Sequence, residues 1–77
     1  MTRVTIRTKD PNANGDICID RDYGNPIGKA PKIERNIPAG KYRLEHKAPG
    51  GQITECLDIY IRGREMGEVV LSPGPCP

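Results

Sequence analysis

Apolar residues along this chain alternate with polar ones in short runs, and no window keeps them at helical spacing for three turns. "RVTIRT" sets Val4 and Ile6 on one face against Arg3, Thr5 and Arg7 on the other, as a half-buried strand does. "DICID" points Ile17 and Ile19 inward and Asp16, Cys18 and Asp20 outward, and "KIERNI" offers Ile33 and Ile37. "GKYRLEHK" places Tyr42, Leu44 and His46 toward a core and Lys41, Arg43 and Lys47 outward, with Glu45 interrupting the cationic row. The longest run, "QITECLDIYIR", carries Ile53, Leu57, Ile59 and Ile61 on one face and Thr54, Cys56, Asp58 and Tyr60 on the other. Glu55 interrupts its apolar side, so sheet pairing is expected from about Cys56. "EVVLS" is the last strand.

Each gap between these runs holds Gly, Pro or Asn. Asn14-Gly15 predicts a type I′ hairpin turn, residues 22–31 a loop crossing between sheets, and "GREMG" another turn. The pattern predicts an all-β fold: a small antiparallel β-sandwich of about six to seven short strands with little or no helix. Residues 1–71 form a single domain, and 72–77, "SPGPCP", a Pro-rich flexible tail that carries Cys76.

Composition narrows the picture. Seventy-seven residues make one small domain, without room for a deep pocket. Tyr23, Tyr42 and Tyr60 are the only aromatic residues, so the core is aliphatic and the sandwich thin. Residues 1–47 carry ten Lys/Arg and six Asp/Glu (+4), residues 48–77 two and four (−2), a mild dipole that sums to the net +2. That is well short of the basic footprint of a nucleic-acid domain. "MTRVTIRTKD" has no signal-peptide apolar run and no segment is long and apolar enough to span a membrane as a helix, so as written the chain is expected in the cytoplasm, or outside it if excised from a larger surface protein. Cys18, Cys56 and Cys76, odd in number and widely spaced, are expected as reduced thiols.

In their order the elements resemble the PEGA-domain family, over about Arg3 to Leu71. Asp10-Pro11, "ICID" at 17–20, "GKAP" at 28–31, "IPAGKYRLEHKAPGG" at 37–51 and a closing pair of strands carry the resemblance. Gly51 stands where the family has an aromatic residue after "PG". The resemblance implies a small antiparallel β-sandwich without catalytic residues, of the kind appended to bacterial or archaeal surface proteins, lipoproteins or kinases.

Five constellations bear on chemistry. Asp10, Asn12, Asn14 and Asp16 match the first half of a calcium loop, but Arg21 stands where a bidentate Glu belongs, so no metal is expected there. Cys18, Cys56, Cys76 and His46 would supply a Cys3His zinc set, yet lack the close Cys-x2-Cys spacing. His46, the only histidine, faces the core with no nucleophile at a partnering position, and Asp16, Asp20 and Asp22 line an exposed arm without a cleft. Arg3 and Arg7 would join Lys41, Arg43 and Lys47 in a five-cation patch if their strands were neighbours.

No enzyme and no cofactor are expected. The reading that remains is a non-enzymatic protein-protein interaction module, in one form a small stand-alone inhibitor or adaptor of the kind phages and mobile elements encode, acting by occlusion. The alternatives are a structural spacer or assembly module, including a homodimer through "LDIYI", and a weak nucleic-acid or phosphate binder through the basic strand face.

Overall fold

A computed structural model describes residues 1–64 and 67–76; the turn expected over "GREMG" lies partly outside these described residues. The fold is all-β, as the alternation predicts, with eight strands among the described residues: β1 (Thr2–Arg7), β2 (Asp16–Ile19), β3 (Gly28–Lys29), β4 (Lys32–Ile37), β5 (Gly40–Lys47), β6 (Ile53–Ile61), β7 (Glu68–Val70) and β8 (Ser72–Pro73). They form a three-stranded sheet in the order β4-β1-β7 and a five-stranded sheet in the order β3-β2-β5-β6-β8. The pairs are antiparallel except β1 with β7, which run parallel.

The core lies between the sheets. Val4 and Ile6 of β1, Ile33 and Ile37 of β4 and Val69 of β7 meet Ile17 of β2, Leu44 of β5 and Ile61 of β6, with Leu71 closing the side. Each such side chain removed from water stabilises the fold by roughly 1.5–3 kcal/mol. Thr2 and Thr8 continue the inward face of β1 and keep hydroxyl partners: Thr2 donates to the Arg62 carbonyl, and Thr8 to the Asp10 carbonyl at 2.7 Å. Arg35 also has inward parity on β4. It lies at the open side of the sandwich, where its Nε donates to the Ile27 carbonyl at 2.6 Å and bridges the β3 and β4 edges.

Several local expectations are overturned. Asn14-Gly15 makes no hairpin, because β1 and β2 belong to different sheets and residues 8–15 cross between them. Only Gly15 has positive φ (113°), so the type I′ geometry is not met. Gly15 is needed for close approach instead, since a Cβ there would sit 2.2 Å from the Lys47 carbonyl oxygen. β6 begins at Ile53, two residues into which Glu55 turns inward rather than delaying the strand. The 72–77 tail is not free over its described part: Ser72 pairs with Cys56 and Pro73 with Glu55, and the Gly74 N–H donates to the Thr54 carbonyl at 2.8 Å. The expectation of three reduced thiols also fails, for Cys56 and Cys76 are joined in a disulfide. Residues 22–31 do cross between sheets, through a cis Ala30-Pro31 bond, adding only the two-residue β3 on the way.

Candidate functional site

His46 projects from β5 into the sandwich, as its register predicts, and is buried. Its Nε2 lies against the Asn14 carbonyl, which can only accept, so Nε2 carries the hydrogen. Its Nδ1 meets the Thr54 hydroxyl. Parity alone puts Thr54 on the opposite face of β6. The pairing shifts between His46 opposite Glu55 and Lys47 opposite Ile53, leaving Thr54 as the extra residue of a bulge that turns it toward the ring. Glu55 beside it is buried and accepts the Lys9 N–H at 2.6 Å and the Asp10 N–H at 3.3 Å. The two side chains thus anchor the β1–β2 crossover.

The calcium-loop residues are turned to other partners. Asp10 Oδ1 accepts the Asn12 N–H at 2.9 Å, closing a local turn, and Asp16 Oδ1 accepts from Lys29 Nζ at 2.9 Å. The Cys3His set cannot assemble with Cys56 and Cys76 bonded to each other and Cys18 buried on another strand.

The outer face of the five-stranded sheet has two halves. In the first, Cys18 and Glu45 are cross-strand neighbours that parity turns outward, yet both are buried. The loop after β2 folds back over them: the Tyr23 hydroxyl donates to Glu45 Oε1 at 2.9 Å, and Lys47 Nζ stands 5.3 Å from the centre of the Tyr23 ring. Asp20 and Arg21, both at positive φ, turn the chain into this cover. Burial, then the nearby Asp16 carboxylate, pushes the Cys18 thiol up from its ordinary range. The hydrogen bond to Glu45 raises the Tyr23 hydroxyl. On the other flank Cys76 is pinned over Cys56.

The second half is open. Here Lys41 lies opposite Tyr60 and Arg43 opposite Asp58, and with Asp20 they line a shallow depression of about 460 Å³. Arg43 makes a two-pronged contact with Asp58, Nε to Oδ1 at 2.8 Å and Nη2 to Oδ2 at 3.1 Å. That hydrogen-bonded pair holds the Asp58 carboxyl below its usual range and raises Arg43. Tyr60 is 57% exposed, the largest exposed apolar surface in the described strands.

The edge of this half is open too. The Arg43 carbonyl accepts the Asp20 N–H at 2.8 Å, so Arg43 faces β2 and its neighbours Tyr42 and Leu44 face β6, opposite Ile59 and Leu57. The main-chain groups of Asp58 and Tyr60 therefore point the other way. β8 meets that edge only at Glu55 and Cys56, so among the described residues Asp58 and Tyr60 have no strand beside them.

The five expected cations do not gather. Arg3 and Arg7 lie on the outer face of the three-stranded sheet and Lys41, Arg43 and Lys47 on that of the five-stranded sheet, with the core between. Arg3 meets Glu34 at 2.5 Å and Arg7 meets Glu68 at 3.0 Å. Tyr23 and Thr54 escaped the sequence reading because a fold-back loop and a bulge place them, and neither has a periodic signature; alternation marks Glu55 as a break in the inward face, but not the crossover whose N–H groups it accepts. Among the described residues no helix is long and apolar enough to cross a membrane. Comparison of the chain with family models, with curated proteins and with solved structures finds no match in any of the three.

Proposed function

We propose that this protein is a non-enzymatic interaction module that binds an extended segment of a protein partner along the open half of β6. The observation that carries the reading is the pair of outward main-chain positions, Asp58 and Tyr60, without a neighbouring strand among the described residues and beside the exposed Tyr60 ring. Strand addition at such an edge supplies main-chain hydrogen bonds, while a flanking aromatic residue supplies apolar contact. Lys41 and the Arg43–Asp58 pair give the same corner both signs of charge, which favours a protein surface over a uniformly anionic polymer.

The PEGA resemblance belongs to this proposal, and so does an extracytoplasmic setting. A disulfide joining Cys56 to Cys76 persists in oxidising compartments, which favours a module of a surface protein over an intracellular inhibitor or adaptor. The phosphate-binding alternative loses support from the division of its cations between two faces. Affinity capture from the source cells with wild type, Tyr60→Glu and Arg3→Glu tests the reading. A partner retained by Arg3→Glu and lost with Tyr60→Glu is the expected result; loss with Arg3→Glu alone places binding on the other sheet and defeats it. Light scattering across a concentration series separates the assembly alternative, since self-association through this edge would also vanish in Tyr60→Glu.

A further inference from the structure

We propose that reduction of the Cys56–Cys76 disulfide converts this corner of β6 into a zinc site, with the two cysteine thiolates and the Asp58 carboxylate as ligands. The Sγ atoms of Cys56 and Cys76 and a carboxylate oxygen of Asp58 all lie within 4.8 Å of one another. The two sulfurs are bonded to each other here, so the informative distances are those to Asp58; ligand atoms of one tetrahedral ion with bonds of about 2.0–2.3 Å stand roughly 3.3–3.8 Å apart, and the sulfurs take up that separation only after the bond between them is broken. Two sulfurs and one oxygen leave a fourth position for water or a partner's side chain.

The geometry does not depend on the sulfur–sulfur bond alone. Ser72 and Pro73 pair with Cys56 and Glu55, and the Gly74 N–H is bonded to the Thr54 carbonyl at 2.8 Å, so the chain is led to Cys76 by main-chain contacts that reduction leaves in place. Asp58 is two residues beyond Cys56 on the same face of the strand, and is held there by Arg43. Arg43 also balances charge: two thiolates and a carboxylate around a divalent ion leave one negative charge beside its guanidinium.

The chemistry balances with a dithiol reductant. Thiol–disulfide exchange cleaves the Cys56–Cys76 bond, two electrons pass to the protein sulfurs, and the reductant leaves as its own disulfide. Zinc then displaces the two thiol protons to solvent. The oxidised chain has no thiolate at this corner, so metal and disulfide exclude each other while both tie residues 72–76 to β6.

The test uses the whole protein, oxidised or reduced with a phosphine under argon, titrated with Zn²⁺ against a chromophoric chelator and with Co²⁺ for thiolate-to-metal absorption. One metal per reduced chain, none per oxidised chain, and protection of Cys56 and Cys76 from alkylation in peptide maps are expected. Asp58→Asn should weaken zinc binding by roughly tenfold or more, at least what outer partners of ligands command. Asp20→Asn in the same depression should not change it. Cys76→Ser, milder than a change at buried Cys56, should abolish the cobalt absorption. Absence of micromolar binding by the reduced chain overturns the proposal, as does binding that survives Cys76→Ser or is indifferent to Asp58→Asn.

Discussion

Glu55 breaks the apolar face of its strand in sequence, and in the fold that break is its use. A carboxylate inside the sandwich is costly unless its oxygens find donors, and here the Lys9 and Asp10 N–H groups supply them. Glu55→Ala leaves both N–H groups without their acceptor and should cost about 3 kcal/mol in urea denaturation, with Glu55→Gln losing less because one carbonyl oxygen stays. The exposed carboxylates act more weakly and with a fixed sign. Arg43 holds Asp58 low and Arg3 holds Glu34 low, by hydrogen bonding first in each case. A folded-state pKa below the unfolded one gives stability that is present above the unfolded value, about 4 for carboxylates, and lost as pH falls through the folded value. Thermal unfolding from pH 6 down to 2 should therefore show a shallower acid loss in Asp58→Asn than in wild type. At this scale the sequence was informative about which side chains alternate inward, Leu44 and His46 among them. It placed Cys18 and Glu45 on the outward face, and their burial comes from Tyr23 folding over a face that parity marks as wet.

Among the elements, Asn14-Gly15 shows how a strong local signal yields to topology. The dipeptide favours a tight hairpin, but β1 already has partners on both edges, β4 and β7, and the chain must leave the sheet to reach β2. Gly15 then serves a different end, passing the Lys47 carbonyl where a side chain has no room. Gly15→Ala meets both a positive φ and a backbone clash and should destabilise by more than about 2 kcal/mol, whereas Gly50→Ala, with nothing within 4 Å, should stay within about 0.5 kcal/mol of wild type. Chemical denaturation of the two variants side by side checks this. The C-terminal run illustrates the same limit. "SPGPCP" reads as a frayed end because its prolines cannot donate, yet an edge position needs few donors, and one disulfide fixes the rest. Cysteine spacing alone does not identify that pairing.

For the whole molecule, alternation was enough to predict two packed sheets with an aliphatic core, because burial of one face is a property of each strand by itself. Which strands share a sheet is not. The sequence reading left the five cations conditional on β1 lying beside β5, and the sandwich puts the core between them. That separation has a measurable consequence for any anionic polymer. Each phosphate neutralised by a protein cation contributes about −0.9 to the slope of log K against log salt, so five cations acting together would give about −4.5. The strands of one face hold Lys41, Arg43 and Lys47 of these five, with Lys29 beside Asp16 on the same face, and thus give a slope no steeper than about −3.6. Arg43 is bound to Asp58 and Lys47 is drawn over Tyr23, which lowers the number further. Duplex DNA titrated by fluorescence anisotropy from 20 to about 200 mM salt, roughly the range over which phosphate contacts are lost, should therefore show weak binding and a shallow slope, abolished by Lys41→Glu with Arg43→Glu and indifferent to Arg3→Glu. A slope near −4.5 that needs both sheets would mean that a flexible polymer wraps the sandwich, and would return the phosphate reading ahead of strand addition at β6.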